Sequence, residues 1–383
     1  MTGRRAPADV TAGRSASAAV WLFAGASLLC TSGVAEAAGG QSVTLGLAFG
    51  STYSDNILQY SDAQLALFQS GLKPSQFSID ASDDLLLGPS ASLLWSKEVR
   101  PRRSRSLRVR WSGQFHKKNA TADLGSYSAT WRESFSRDRR LTIFGYWLPD
   151  YYLRQLYDED VNPPYAALSK YRRAQFDLAI GTVSWRQRIA GRTRAELEYR
   201  YEHRAYNHDF VERTSGVHQG KLGLEFFRLP ARGTLNVYGA YRVSNAKGSD
   251  ADSAADPDVS YHGVIAGLGW RVVLARQKSW GLGADLGYEL GTRVYDSKLP
   301  SDKFHHGRSD VSHTVDAGLR LTLPARLGLR GFYQFATNSA NLATSAPPSS
   351  DTGSYTENEV GLSLDWSAAI WRQSGGAGDG DQE

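Results

Sequence analysis

From residue 42 to residue 368 the chain repeats one pattern: a run in which apolar and polar residues alternate with a period of two, then a connection, then another such run. That period belongs to a β-strand, whose successive side chains point to opposite faces. Residues 107–115 read LRVRWSGQF, so Leu107, Val109, Trp111 and Phe115 share one face and Arg108, Arg110, Ser112 and Gln114 the other. In 194–204 the charged row Arg194, Glu196, Glu198, Arg200, Glu202 and Arg204 is opposed by Ala195, Leu197, Tyr199, Tyr201 and His203. A helix would scatter these charges around its axis.

Strands are expected near 42–54, 85–97, 106–117, 125–136, 141–148, 172–187, 193–206, 217–228, 234–244, 259–273, 280–295, 311–323, 327–336 and 355–368. Their connections alternate strictly. Short ones lie at 100–105, 136–140, 189–192, 229–233, 275–279 and 324–326; long ones centre on 55–84, 118–124, 149–170, 207–216, 245–258, 296–310 and 337–354. Six short turns and seven long loops require fourteen strands with both ends on the short-turn side. The expected fold class is therefore all-β: a closed antiparallel transmembrane β-barrel of about fourteen strands. It resembles a Gram-negative outer-membrane barrel, with short periplasmic turns and long external loops. In lipid every backbone polar group must pair, which only a closed sheet achieves with strands.

The start of the chain fits that destination. Arg4, Arg5 and Arg14 precede an apolar stretch, AVWLFAGASLLC, and then Ala35-Glu36-Ala37. A basic start, about a dozen apolar residues and a small-x-small site read as a secretory signal peptide. The expected organisation is a cleaved signal over 1–37, the barrel over 38–368 and a disordered periplasmic tail over 369–383. Cys30 is the single cysteine of the 383 residues, which excludes a disulfide scaffold and a cysteine metal site.

The apolar face, carrying Leu47, Leu107, Val109, Leu197, Leu222, Leu319 and Leu362, is expected to meet lipid. Tryptophans near strand ends, among them Trp95, Trp131, Trp185 and Trp270, would sit at the headgroups. The lumen face is expected to carry Arg108, Arg110, Arg194, Glu196, Glu198, Arg200, Glu202, Arg320 and Arg330, with Lys221, Glu225, Asp285, Glu289 and Asp316 among the others. Both signs are present, so cross-strand ion pairing is the expectation. Fourteen strands at about 4.8 Å spacing and roughly 40° tilt give a backbone radius of about 14 Å. The first loop and the stretch Pro149 to Lys170 are candidate constrictions. Arg102, Arg103, Arg105, Arg139 and Arg140 are expected in the short turns, as a basic periplasmic rim facing lipid phosphates or an acidic partner.

The last strand, EVGLSLDW (359–366), places Gly361, Leu364 and Trp366 at the spacing of the terminal-strand signal read by the barrel-assembly machinery. The stretch from about 193 to 366 also resembles the barrel part of the surface lipoprotein assembly modifier family. The residues behind this are EYRYEHRAYN (198–207), GVIAGLGWRV (263–272), NSAN (338–341) and YTENEVGLSLDW (355–366). The helical-repeat domain that precedes the barrel in that family has no counterpart in this sequence. The resemblance implies export with a separate periplasmic partner.

Catalysis finds little support. His203 and His208 have Glu202 and Asp209 beside them; His305 and His306 lie near Asp302, Ser309 and Asp310. No nucleophile motif fixes either group. The loop holding Asp250, Asp252, Asp256 and Asp258 lacks the Gly and terminal Glu of an EF-hand. No phosphate-binding loop, metal site, cofactor site or nucleic-acid module is expected. The sequence thus reads as a non-enzymatic passive channel or export pore surrounded by outer-membrane lipids. The alternatives are a lipoprotein or polysaccharide export component working with a separate periplasmic partner, or a surface-binding scaffold.

Overall fold

The structure, a computed structural model, describes residues 40–72, 74–157, 171–230, 233–250, 258–300, 302, 304–342 and 353–373. The first strands are β1 (Gln41–Ser54), β2 (Asp84–Arg100), β3 (Arg103–His116), β4 (Leu124–Ser134) and β5 (Arg139–Tyr157). Next come β6 (Tyr171–Ala190), β7 (Thr193–Tyr206), β8 (Ser215–Leu229), β9 (Gly233–Ala246) and β10 (Tyr261–Arg276). Last are β11 (Gly281–Tyr295), β12 (Ser309–Leu323), β13 (Leu327–Asn341) and β14 (Tyr355–Gln373). Each pairs antiparallel with the next, and β14 closes on β1 from Gln41↔Gln373 to Ser54↔Glu359. Closure leaves no sheet edge, as immersion in lipid demands.

The alternation of connections holds. Turns of a few residues join β2–β3, β4–β5, β6–β7, β8–β9, β10–β11 and β12–β13 at one rim. At the other rim lie the loops L1 (55–83), L2 (117–123), L3 (158–170), L4 (207–214), L5 (247–260), L6 (296–308) and L7 (342–354). L3, half of L5, most of L7, the expected signal 1–37 and residues 374–383 lie outside the described residues.

Three expectations need correction. β5 does not stop at 148 but runs through Pro149 to Tyr157, with register shifts between Leu148 and Tyr151 and between Tyr152 and Arg154. These bulges absorb Pro149 and the left-handed Asp150 (φ 50°), so 149–157 is strand wall and not constricting loop. The β2–β3 turn is tighter than expected: Arg100 pairs with Arg103 across Pro101 and Arg102, the latter at φ 71°. Arg103 and Arg105 are therefore in β3, and Arg139 and Arg140 open β5. Finally β14 continues to Gln373, so 369–373, expected as tail, pairs with the first residues of β1.

The apolar faces point outward. Leu47, Val109, Leu197, Leu222, Leu319 and Leu362 are all exposed on the outside. Trp95 and Trp131 stack at 6.1 Å on the short-turn side, and Tyr127 and Trp147 at 5.6 Å on the long-loop side. An apolar belt between two aromatic girdles is the surface that a bilayer selects.

The buried apolar clusters sit at the long-loop end. L1 contains a short helix, α1 (Asp62–Gln69), started by a capping box between Ser61 and Gln64. Ile57, Leu58, Tyr60, Phe77 and Ile79 of L1 pack with Leu86, Ala122 and Tyr152. A second cluster joins Leu148 and Leu156 of β5, Phe176, Leu178 and Ile180 of β6, and Phe210 of L4.

Candidate functional site

Among the described residues, the inward faces of the strands line a cavity of about 650 Å³. Its lining runs from Ser106 and Arg271 near the short turns to Asn338 and Tyr355 near the long loops. Of the expected lumen residues, Arg108, Arg110, Glu196, Glu198, Arg200 and Arg330 line it. Arg194, Glu202 and Arg320 share the inward phase of their strands but sit outside that lining: Arg194 holds Glu225 at 3.3 Å, and Glu202 is buried between Arg200 (2.7 Å) and Arg204 (2.5 Å). Arg320 stands directly opposite Arg330 across β12 and β13.

The charges are sorted around the ring. On β6–β8 they pair, as expected: Arg186 meets Glu196 at 2.7 Å and Glu225 at 3.3 Å, and Lys221 lies 3.8 Å from Glu196 and 3.7 Å from Glu198. On β3–β5 the inward positions include Arg108, Arg110, Arg132 and Arg140 and no carboxylate. Ser112, Ser128, Thr130 and Thr142 fill spaces between them in the cavity wall. Arg110 donates to Ser112 Oγ at 3.0 Å and to Ser90 Oγ at 2.9 Å.

The other side carries both signs: Arg271, Arg293 and Arg330 line it beside acidic residues. Asp285 and Glu289 on β11 and Asp316 on β12 line the same cavity. Arg330 holds Asp285 at 2.9 Å, and the Tyr238 hydroxyl donates to Glu289 at 2.5 Å. In a closed ring of fourteen, β4 and β11 are seven places apart, so the arginine row of β3–β5 faces the mixed charges of β11–β12 across the lumen.

The long-loop mouth is narrowed by folded loops. L1 reaches from β14, where Glu357 accepts from Ser54 Oγ and from Gln59 Nε2 (both 2.8 Å), to Arg154 of β5. Gln76 of L1 also accepts from the Tyr171 hydroxyl of β6 at 3.4 Å. Ser54, Glu357 and Arg154 are buried, so L1 crosses inside the rim. On the far side, L6 folds over β11–β12: Arg308 forks onto Asp310 (2.7 and 2.9 Å) and lies over the Tyr295 ring.

The histidine candidates do not assemble a catalytic group. His203 is on the outward phase of β7 while Glu202 points inward, and the His208 side chain is almost fully exposed. In L6, His305 donates through Nδ1 to Asp302 at 2.9 Å, but the Ser297 hydroxyl donates to the same carboxylate at 3.0 Å. A nucleophile must give its proton to the imidazole, and here serine and histidine share one acceptor. Ser309 heads β12, paired with Asn341 and Val294. Among the described residues, no three His, Cys, Asp or Glu side chains group as metal ligands. Of the expected rim, Arg103 and Arg105 both bond Glu133, at 2.6 and 3.1 Å, near the aromatic girdle; Arg140 faces the lumen. Arg102 stays in its turn, and Arg139 pairs with Gln187. Of the terminal-strand residues, Leu364 and Trp366 face outward and Gly361 inward.

No family model matches the chain, and no curated protein matches it by sequence. Among solved structures it is similar to a loop-deletion mutant of OmpT, an outer membrane protein of Vibrio cholerae: identity 6%, coverage 86% of this chain and 99% of that chain, TM-score 0.44. It is also similar to an anion-selective porin from Comamonas acidovorans, at 10% identity over 86% of this chain and 100% of that chain, TM-score 0.39. OprD of Pseudomonas aeruginosa matches at 14% identity over 88% of this chain and 98% of that chain, TM-score 0.36. The chain's own architecture is that of an outer-membrane β-barrel: an even, closed ring, short turns at one rim, long loops at the other, apolar outside and polar within.

Proposed function

We propose that this barrel is a passive, non-enzymatic channel for small polar solutes across the outer membrane. The observation that carries the reading is a cavity inside the ring that runs most of the length of the strands and is lined by charged and hydroxyl side chains, with the arginine row of β3–β5 facing the mixed charges of β11–β12. A scaffold needs no such passage, and a structural barrel is more stable with its lumen charges paired off. The polar walls replace part of a solute's hydration as it passes, which is what a channel must do. Planar-bilayer recording tests this directly. Steady ohmic steps from the purified, heat-modifiable barrel are expected. A folded barrel that stays silent overturns the reading.

One observation favours a second reading in that event. L1 is tied into the mouth by buried hydrogen bonds from both β5 and β14. A mouth held this way suits an export component that opens only with a periplasmic partner, which co-purification from crosslinked outer membranes would reveal.

A further inference from the structure

We infer that the short-turn rim is a docking surface for the phosphates of anionic phospholipid in the periplasmic leaflet, held by basic side chains presented from every short turn. The rim lies outside the passage, so the surface stands whether or not the barrel conducts. Each turn presents an exposed cation: Arg102 in β2–β3, Arg137 in β4–β5, Arg192 in β6–β7, Arg228 at the end of β8, Lys278 in β10–β11 and Arg326 in β12–β13. Among the described residues, none of the six forms an ion pair. The nearby carboxylates are taken by other arginines: Asp138 by Arg188 at 3.5 Å, and Glu133 by Arg103 and Arg105 at 2.6 and 3.1 Å. The long-loop rim differs. There Asp55, Asp83, Asp177 and Asp296 stand beside Lys117, Lys118 and Lys298, and Lys118 holds Asp83 at 2.8 Å.

The backbone gives an independent sign that these side chains have a use. Arg102 (φ 71°), Arg228 (φ 59°) and Arg326 (φ 60°) are all left-handed. Glycine takes that conformation without steric cost and is the usual occupant of such positions in hairpin turns. Three separate turns keep arginine there instead. Among the described residues, the Arg102 and Arg326 guanidinium groups donate to no other group of the protein, so an internal contact does not account for the cost. Strain retained in this way points to a role for the side chain outside the fold.

Position and chemistry identify the partner. At this end of the barrel Trp95 stacks on Trp131 at 6.1 Å and Phe135 lies against Trp185 at 5.7 Å, on the outer face. Such rings settle at the level of the headgroups. Arg137 is two residues beyond Phe135, and Lys278 two residues before the exposed Trp280, so both reach the phosphates from the turns. A guanidinium fork fits two oxygens of a phosphodiester. Phosphatidylcholine carries its own cation beside that phosphate, whereas an anionic phospholipid offers a net charge to attract the ring. The six turns come at every second strand of the closed sheet, so the cations are spread around the circumference. Lipid surrounds a barrel on all sides; a docked protein would cover one.

The whole barrel is reconstituted in bilayers of phosphatidylcholine alone and in bilayers that also contain phosphatidylglycerol. Native mass spectrometry identifies the lipid retained on the released barrel, and a urea midpoint reads stability. The expected result is phosphatidylglycerol enriched roughly fivefold on the barrel over the bilayer. The midpoint should rise with it, and high salt should abolish both effects. In Arg102→Gly/Arg228→Gly/Arg326→Gly the retained phosphatidylglycerol and the midpoint gain should fall by about half. The midpoint in phosphatidylcholine should hold, because glycine fits the left-handed backbone. Lys117→Gln/Lys247→Gln/Lys298→Gln, which removes three charges from the long-loop rim, should keep both effects. A glycine variant with undiminished enrichment overturns the surface, as does a wild-type barrel that holds the two lipids in the bilayer's own ratio. Poly-glutamate captured by a barrel with no lipid preference would assign the ring to an acidic protein and overturn it too. A glycine variant that fails the heat-modifiability check is replaced by Arg137→Gln/Lys278→Gln, and unchanged enrichment there also overturns the surface.

Discussion

The Arg154 guanidinium of β5 donates to the Leu58 carbonyl of L1 at 2.6 Å, with Gln59 O and Gln64 Oε1 each at 3.4 Å and the Tyr60 ring 5.0 Å away. One fully buried cation therefore satisfies three acceptors of a loop that crosses the mouth. Arg154→Ala should leave those acceptors buried and unmet, at a cost of about 2–4 kcal/mol to the packed state of L1. The barrel wall itself should hold, because the sheet pairing at this position is backbone. Limited proteolysis should then cut L1 in the variant while the heat-modifiable band persists. Equal resistance of L1 in both proteins would sink the idea that Arg154 clamps it.

Gly361 of β14 lies under Phe332 of β13. A Cβ there would come 2.5 Å from the ring and 2.9 Å from the Ser51 carbonyl of β1. The ring could swing, but the carbonyl belongs to the strand that closes the barrel. Gly361→Ala should cost about 1–3 kcal/mol by overpacking and lower the yield of heat-modifiable barrel. Adding Phe332→Ala should recover only part of that yield, since the Ser51 contact remains. Full recovery would place the strain in the ring alone.

How much of this was legible beforehand follows from what each feature depends on. Strand number and the two faces depend on local period and loop length, and both are written along the chain. The upper half of β5 was hidden because Pro149 and Asp150 break the alternation, and a bulge is visible only when the partner strand is in place. Arg132 shows the missed signal at the site. It is in phase with Ser126, Ser128 and Thr130 and so faces the lumen, yet its neighbours Trp131 and Glu133 draw the eye to the outer face. That the arginine row of β3–β5 faces the mixed charges of β11–β12 could not be read at all. It depends on β4 and β11 meeting across a closed ring, and no local pattern encodes that distance.

His305 and Asp302 make L6 acid-sensitive. Burial lowers the His305 imidazole below its ordinary value, against the pull of Asp302. Burial raises the Asp302 carboxyl, but the hydrogen bond and charge from His305 outweigh it and leave the carboxyl below its ordinary value. In both cases the unfolded loop binds protons more readily than the folded one. Stability of L6 is therefore full above about pH 6.5, the unfolded imidazole value, and falls as pH drops towards the folded values. Hydrogen exchange corrected for intrinsic rates should show L6 losing protection between pH 7.5 and 5, with His305→Gln flattening that dependence. Identical pH dependence in both proteins would remove His305 as its source.

The lipid-facing assignment has its own test. Leu222 and Leu362 are 60% and 61% exposed on the outer face near the middle of β8 and β14, while Asn236 points into the cavity. If lipid covers the outer face, an arginine there must snorkel or drag water into the hydrocarbon, at about 2–4 kcal/mol near the midplane. An arginine at Asn236 enters a polar space and should cost far less. Urea titrations of barrels folded into phosphatidylcholine vesicles, followed by tryptophan fluorescence, should therefore place Leu222→Arg and Leu362→Arg well below Asn236→Arg in midpoint. A barrel in which all three variants unfold together would have water on both faces of its wall. The apolar belt would then need another explanation than the bilayer.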